Sequence, residues 1–245
     1  MDNIAIIIPS RLDAQRLPNK PLKLINNKEM ILHVYNAAIK SKAGKVYVAS
    51  PDQKIIDTVK NSGGNAIKTS DTHETGTDRI YEVFKNSLNN KPNIIINLQG
   101  DMPNIEPDAI CDLVTHMKEG KCDIGTLASE LSSRDEIHNQ NIVKVATKDK
   151  LNKNKFLNAL DFFRKDKGSN DQLYHHIGIY AFTNKALIRY VGLKRSKLEL
   201  ERKLEQLRAL ENKMKIDVGY TNFTPLSVDT LEDYLEIKKN MESNE

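Results

Sequence analysis

Residues Ile4 to Ile8 form an unbroken aliphatic run, and Pro9-Ser10-Arg11 follows it at once. A run of that length, rich in β-branched residues and closed by proline, reads as a strand buried on both faces. Such strands belong to parallel sheets covered by helices on both sides, so the opening residues already point to an α/β architecture. The loop that follows carries Arg11, Arg16 and Lys20 among Pro9, Pro18 and Pro21, which stiffen it. Ligands of open α/β sheets bind beyond the carboxyl ends of strands, and a stiff cationic loop there suits a polyphosphate. Taken alone, three scattered cations read more readily as a solvated surface loop.

The following residues repeat the theme. Met30, Ile31, Val34, Tyr35 and Ala38 recur at helical spacing, and Val46 to Ala49 reads as a strand. Ile55, Ile56 and Val59 mark another helix. A further helix is expected from about Asp78 to Asn86, and Ile94 to Leu98 is a second strongly apolar strand. This alternation predicts an α/β fold with a doubly wound, mainly parallel, Rossmann-like sheet. Beyond about residue 120 the pattern loosens. Ile142 to Thr147 and Tyr174 to Thr183 read as strands, with polar stretches at 148–154 and 164–171. We expect a small antiparallel extension of the same sheet and a single domain over residues 1–245, with no internal repeat.

Composition removes several function classes. The net charge is only +4, from 37 basic and 33 acidic residues, which supplies no concentrated basic face for nucleic acid. Cys111 and Cys122 lack a metal-ligand spacing and are expected to be free thiols in a reducing compartment. The opening apolar run is too short for a signal peptide, and nothing approaches the roughly 18 apolar residues of a membrane span. The expectation is a cytoplasmic protein with neither a nucleic-acid nor a membrane partner. The opening loop has no glycine, so it is neither a Walker A loop nor a dinucleotide fingerprint.

Arginine grips phosphate oxygens with a planar fork and lysine supplies a point charge, so Arg11, Arg16 and Lys20 together could hold a triphosphate. Asp101 follows the Ile94–Leu98 strand through Gln99-Gly100. It reads equally as a carboxylate ligand for Mg²⁺, a hard cation, or as the cap of the next helix. Asp229, in Val228-Asp229-Thr230, reads first as part of a helix cap and becomes a metal candidate only if the fold sets it beside Asp101. Between Ser196 and Lys215, Leu200, Leu204, Leu207 and Met214 are spaced for an amphipathic helix on a core or a subunit interface. Glu205 and Gln206 lie off that stripe.

In this order the segments resemble the 3-deoxy-D-manno-octulosonate (Kdo) cytidylyltransferases, the CMP-Kdo synthetases, over nearly the whole chain. The strings that carry the resemblance are Ile8-Pro9-Ser10-Arg11 with Arg16-Leu17-Pro18-Asn19-Lys20-Pro21-Leu22, Thr75-Gly76-Thr77-Asp78-Arg79, Asn97-Leu98-Gln99-Gly100-Asp101, His176-Ile177-Gly178-Ile179-Tyr180, Leu204-Glu205-Gln206-Leu207-Arg208 and Val228-Asp229-Thr230. The opening loop is shared with other sugar nucleotidyltransferases, including activators of sialic acid. The resemblance implies a nucleotidyltransferase that joins CTP to Kdo for lipopolysaccharide biosynthesis and releases pyrophosphate, with Mg²⁺ held by Asp101 and Asp229. It implies Pro9, Ser10, Arg11, Arg16, Lys20, Gly76, Thr77 and Gln99 around the nucleotide. On the sugar acid it implies Arg79, Gln99, Arg164, His176, Tyr180, Glu205 and Gln206. Arg11, Lys20, Asp101 and Asp229 are then the groups nearest the chemistry, with no side chain standing out as a general base, and the leucine stripe suggests a homodimer.

Three positions depart from the family pattern. Asn19 stands where a glycine is usual, and asparagine tolerates left-handed backbone. Met102 replaces an acidic residue after the metal-site aspartate. The Ser-Arg-Ala-x-Ile-Pro segment survives only as Ala159-Leu160-Asp161-Phe162-Phe163-Arg164, so a variant acid such as 8-amino-Kdo stays open beside Kdo. A sialic-acid activator and a non-catalytic nucleotide-binding protein on the same fold are the other readings.

Overall fold

A computed structural model describes residues 3–13, 16–89, 91–131, 133–153, 155–165 and 171–243. In chain order the elements are β1 (Ile4–Pro9), β2 (Leu24–Ile25), β3 (Lys28–Glu29), α1 (Met30–Lys40), β4 (Lys45–Ser50), α2 (Gln53–Asn61), β5 (Ala66–Lys68), α3 (Gly76–Asn86), β6 (Ile94–Leu98), α4 (Pro107–Lys118) and β7 (Ile124–Ser129). They continue as α5 (Arg134–His138), β8 (Lys144–Thr147), β9 (Leu157–Phe163), β10 (Gln172–Thr183), α6 (Asn184–Val191), α7 (Lys197–Arg202), α8 (Leu207–Glu211), β11 (Ile216–Tyr220) and α9 (Leu231–Glu242). The chain falls into two compact units, Met1–Cys111 with Pro225–Glu245, and Asp112–Thr224. No described helix is long and apolar enough to cross a membrane.

In the first unit β5, β4, β1 and β6 lie side by side in that order, all parallel. Every residue of β1 and of β6 is buried, so both sheet faces are covered, as the aliphatic runs require. The chain moves outward from β1 to β4 and β5, then returns to place β6 on the other side. The order therefore reverses between β1 and β6, and the crevice outside the carboxyl ends of such a pair is where open sheets bind ligands. Pro9 and Leu98 end these two strands.

The loop after β1 is strapped down. Ser10 N–H donates to the Ala49 carbonyl at 2.9 Å, and Leu12 N–H donates to the Asp52 carboxylate at 2.8 Å. Asn19 sits at φ 56°, ψ 25°, the left-handed conformation that starts the single 3₁₀ turn Lys20–Leu22. Asparagine tolerates this backbone better than most other residues with a side chain. The Val228 and Ile237 side chains close over Leu17, Ile25 and Met30, which docks α9 against the loop.

In the second unit the strand order is β10-β7-β11-β9-β8, and β10 pairs back to β8, so the pairings close into a ring. Only β7 and β11 are parallel. The expected antiparallel portion is thus the larger part of this unit. Residues 166–170 of the second polar stretch lie outside the described residues. β10 carries a bulge between Ile177 and Tyr180, inside the His176–Tyr180 string.

The single leucine-striped helix expected from Ser196 to Lys215 is not formed. Lys203, in left-handed backbone at φ 55°, ends α7, and α8 begins at Leu207. The break follows from what each end has to bury. Leu204 and Leu207 go into the core, while Leu200 stays 57% exposed, which one continuous stripe could not do.

Valine has no tolerance for the Asn19 backbone, whereas glycine does. An Asn19→Val substitution is expected to lower stability by about 1 kcal/mol, and Asn19→Gly to leave it nearly unchanged. Urea unfolding midpoints of the two variants check this.

Candidate active site

The cleft outside β1 and β6 has a volume of about 610 Å³. It is lined by Pro9, Ser10 and Gly76, by Gln99, Gly100 and Asp101, and by the cations Arg11, Arg16 and Lys20. Gly76 lets α3 approach β1 closely, since a Cβ there would press on the Pro9 ring at 3.1 Å. Thr75 caps α3 by accepting the Asp78 N–H at 3.1 Å, and this turns the helix N-terminus, an anion-favouring end, toward the cleft.

Two observations show a cleft organised for an anion. Ser10 Oγ is buried and has no hydrogen-bond partner among the described residues. Arg79 is 3% exposed and donates to Thr69 Oγ1 at 2.6 Å and to the Ser70 carbonyl at 2.8 Å. Its burial, and then the positive charge of Arg11, hold its pKa below the ordinary arginine value. Negative charge placed between Arg79 and Arg11 would relieve that unfavourable pairing.

The acidic side of the cleft is built around Lys20. Its Nζ donates to Asp101 Oδ2 at 3.1 Å, to the Val228 carbonyl at 2.7 Å and to Asp229 Oδ1 at 3.5 Å, while Arg16 reaches Asp229 Oδ2 at 3.0 Å. Asp101 lies well before α4 and does not cap it. Thr230 and Asp233 form the capping box of α9, which leaves the Asp229 carboxylate to face the cleft. The fold thus brings Asp229 beside Asp101, the condition its candidacy depended on. Their oxygens converge on one cation, here the Lys20 ammonium, and two hard carboxylates on one point fit Mg²⁺.

Thr77 differs from expectation. It is 1% exposed and its hydroxyl accepts from Asn97 Nδ2 at 3.2 Å, so its side chain braces α3 against β6 and does not line the cleft. Sequence reasoning also missed Asp13, His73 and Glu74, which do line it. His73 Nε2 pairs with Glu82. Burial pushes the Glu82 carboxyl up, but the hydrogen bonds from His73 and from Ser70 N–H outweigh it and leave it below its ordinary value. The signal available was Thr75 three residues before Asp78, a helix-start pattern that fixes where the preceding polar loop must turn.

In the second unit, His176 and Tyr180 are buried beside the half-buried Glu205. The bulge turns the Ile179 carbonyl onto Thr126 Oγ1 at 2.7 Å, and the same hydroxyl meets His176 Nε2 at 3.0 Å. Since the hydroxyl donates to the carbonyl, His176 Nε2 is the donor to the hydroxyl. The His176 ring meets Phe162 edge-on at 5.1 Å and Tyr180 at 5.4 Å. Burial and the Glu205 charge raise the Tyr180 phenol well above its ordinary pKa. Gln206 is buried at the start of α8, and its carbonyl accepts the Ala209 N–H at 3.1 Å. Arg208 below it holds Glu199 through two bonds of 2.6 and 2.8 Å. Arg164 is committed elsewhere, donating to the carbonyls of Gln140 at 3.1 Å and Asn141 at 2.8 Å.

Residues 5–216 match the family described as Cytidylyltransferase. The 3-deoxy-manno-octulosonate cytidylyltransferase of Brucella ovis is 43% identical over 93% of this chain and 91% of its own. That of Thermodesulfovibrio yellowstonii is 42% identical, covering 93% of each. The chain belongs to the 3-deoxy-manno-octulosonate cytidylyltransferase family. A solved CMP:2-keto-3-deoxy-manno-octonic acid synthetase complexed with CTP is 32% identical, with a TM-score of 0.89 over 99% of this chain and 100% of that one. The 4-diphosphocytidyl-2C-methyl-D-erythritol synthase of Anaerococcus prevotii, at 12% identity and a TM-score of 0.65 over 98% and 99% of the two chains, shares the fold.

Burial, with His175 adding to it, presses His176 down to about 3. The unfolded chain takes up that proton near 6.5, and the native chain does so only near 3, so His176 withdraws stability as pH falls through this interval. Its imidazole resonances are expected to stay flat from about pH 8 to pH 4, and His176→Asn to lose less stability than the parent on acidification. NMR titration and denaturant unfolding measure the two, and a midpoint near 6.5 would refute the assignment.

Proposed function

We propose that this chain transfers the cytidylyl group of CTP to the anomeric 2-hydroxyl of 3-deoxy-manno-octulosonate, giving the CMP-sugar and pyrophosphate for lipopolysaccharide biosynthesis. The observation that carries the reading is the cleft itself, where Asp101 and Asp229 converge on one cation beside three arginines at the carboxyl ends of β1 and β6. The names of the relatives supply the sugar.

The 2-hydroxyl oxygen bonds to the α-phosphorus, the bond from that phosphorus to the bridging oxygen breaks, and the electron pair leaves with pyrophosphate. The hydroxyl proton is released to solvent. Such transfers ask the protein mainly for positioning and charge neutralisation. Ser10 Oγ, buried and unsatisfied, is available to a phosphate or ribose oxygen, and Arg11 and Lys20 offset charge gathering on the leaving pyrophosphate. Pro9, Gly76 and Gln99 bound the nucleotide, with Gln99 Nε2 oriented by Asn97 Oδ1 at 3.0 Å. Arg16 holds Asp229 in place.

Mg²⁺ held by Asp101 and Asp229 would neutralise phosphate charge and lower the pKa of the attacking hydroxyl. For the sugar acid, Arg79 and Gln99 offer donors in the cleft. Arg164 donates to the Gln140 and Asn141 carbonyls through Nη1 alone, so serving the sugar carboxylate does not require it to leave them. Cytoplasmic residence and a homodimer complete the proposal. Ile188 and Leu200, 50% and 57% exposed, are apolar groups that a second subunit could cover.

Asp101→Asn and Asp229→Asn are each expected to lower kcat by roughly a hundredfold or more with the fold retained, measured as pyrophosphate release with CTP and Mg²⁺. The same assay across Kdo, 8-amino-Kdo and a sialic acid should rank Kdo first. Undiminished turnover in both variants would sink the metal assignment, and a preference for a sialic acid would sink the substrate.

A further inference from the structure

His116, Cys122 and Asp217 form a second cluster with no part in the chemistry above. His116 lies in the last turn of α4, Cys122 between α4 and β7, and Asp217 on β11. His116 Nε2 is 3.0 Å from Asp217 Oδ2 and 3.7 Å from Cys122 Sγ, and one ligand atom of each residue lies within 4.8 Å of the others. Cys122 and Asp217 are 8% and 4% exposed.

The arrangement does not suit a nucleophile relay. A relay needs the thiol and the carboxylate on opposite imidazole nitrogens. Here both address the same atom, Nε2, so the three ligand atoms stand within 4.8 Å of one another on one side of the ring. Tetrahedral zinc, with bonds of about 2.0 Å to nitrogen and oxygen and 2.3 Å to sulfur, places its ligand atoms roughly 3.3–3.6 Å apart. The 3.0 and 3.7 Å separations lie close to those edges.

The surroundings hold each ligand to its orientation. The His116 ring stacks flat on Phe156, with centroids 3.8 Å apart and planes at 5°. Phe156 can lie there only because residue 219 is glycine, since a Cβ would come within 2.3 Å of the ring. Lys215 Nζ sits 3.4 Å from Asp217 Oδ1 and donates to the Lys121 carbonyl at 2.9 Å. That occupies one carboxylate oxygen and leaves Oδ2 facing the cluster, the kind of outer contact that orients metal ligands.

We infer that His116, Cys122 and Asp217 form a binding site for a borderline-soft divalent cation of the zinc type, separate from the all-oxygen pair Asp101 and Asp229. Ligation takes the thiolate, the imidazole Nε2 and one carboxylate oxygen, with a solvent molecule in the fourth position. The thiol proton is released and the imidazole carries its proton on Nδ1. Burial, with Asp217 adding to it, pushes the free thiol up to about 12, so without a cation this cysteine is protonated and inert.

The test is titration of the full chain with Co²⁺ and, separately, Zn²⁺. One equivalent of Co²⁺ is expected to produce a thiolate-to-cobalt charge-transfer band with the intense visible bands of a four-coordinate ion. Cys111→Ser and Asp101→Asn should keep the band, and Cys122→Ser should abolish it. Zinc-edge absorption fine structure of the unmodified chain at one equivalent should show one sulfur among nitrogen and oxygen neighbours, a readout that needs no variant to fold. A shell without sulfur, or a charge-transfer band that persists in Cys122→Ser, overturns the proposal.

Discussion

The Lys20 ammonium ties together three parts of the first unit that are remote in sequence. It reaches Asp101 at a separation of 81 residues and Val228 and Asp229 at separations of 208 and 209. These contacts are partly exposed, so their contribution to stability is small. Their importance is positional. Two carboxylates that face one another need positive charge between them, and Lys20 supplies it when no other cation does. The Val228 carbonyl accepts from Lys20, and the Val228 side chain joins Leu17, Ile25 and Met30 in the small core beneath the loop.

That core explains why a chain end more than 200 residues away takes part in a site that opens at residue 9. The strand pair β1 and β6 creates a crevice whatever the rest of the chain does, because the strand order reverses there. A crevice is not yet a nucleotidyl-transfer site. Asp229 is brought opposite Asp101 by the Val228 N–H bond to the Asp101 carbonyl at 2.9 Å, with the apolar packing of Val228 and Ile237 against Leu17, Ile25 and Met30 beneath it.

The second unit achieves order by other means. Its core runs through aromatic contacts between His176, Tyr180 and Phe162 and through the buried Arg208–Glu199 pair. His176 stays neutral because burial disfavours its charged ring, and Thr126 sets which nitrogen carries the proton. Lys144, fully buried, satisfies its ammonium on the carbonyls of Asn139, Ile142 and Arg164, while Arg164 holds two carbonyls of the same loop. The loop beside the altered family segment is thus held by backbone capture.

Sequence patterning alone was enough for the parallel strands, because a strand buried on both faces has a local signature, whereas the cationic loop by itself read as solvated surface. It was enough as well for Asn19, whose backbone preference is local. The break at Lys203 was not legible, since a heptad-like stripe reports only spacing and not which leucines find a core. Nor was the inward turn of Thr77, which Asn97 decides from the neighbouring strand. Asp101 and Asp229 remained two separate acids until folding placed them on one cation. The same holds for His116, Cys122 and Asp217, whose spacing along the chain suggests nothing. Local chemistry writes strands, turns and caps into consecutive residues, whereas convergence of groups about 100 or more positions apart is decided by how the elements pack.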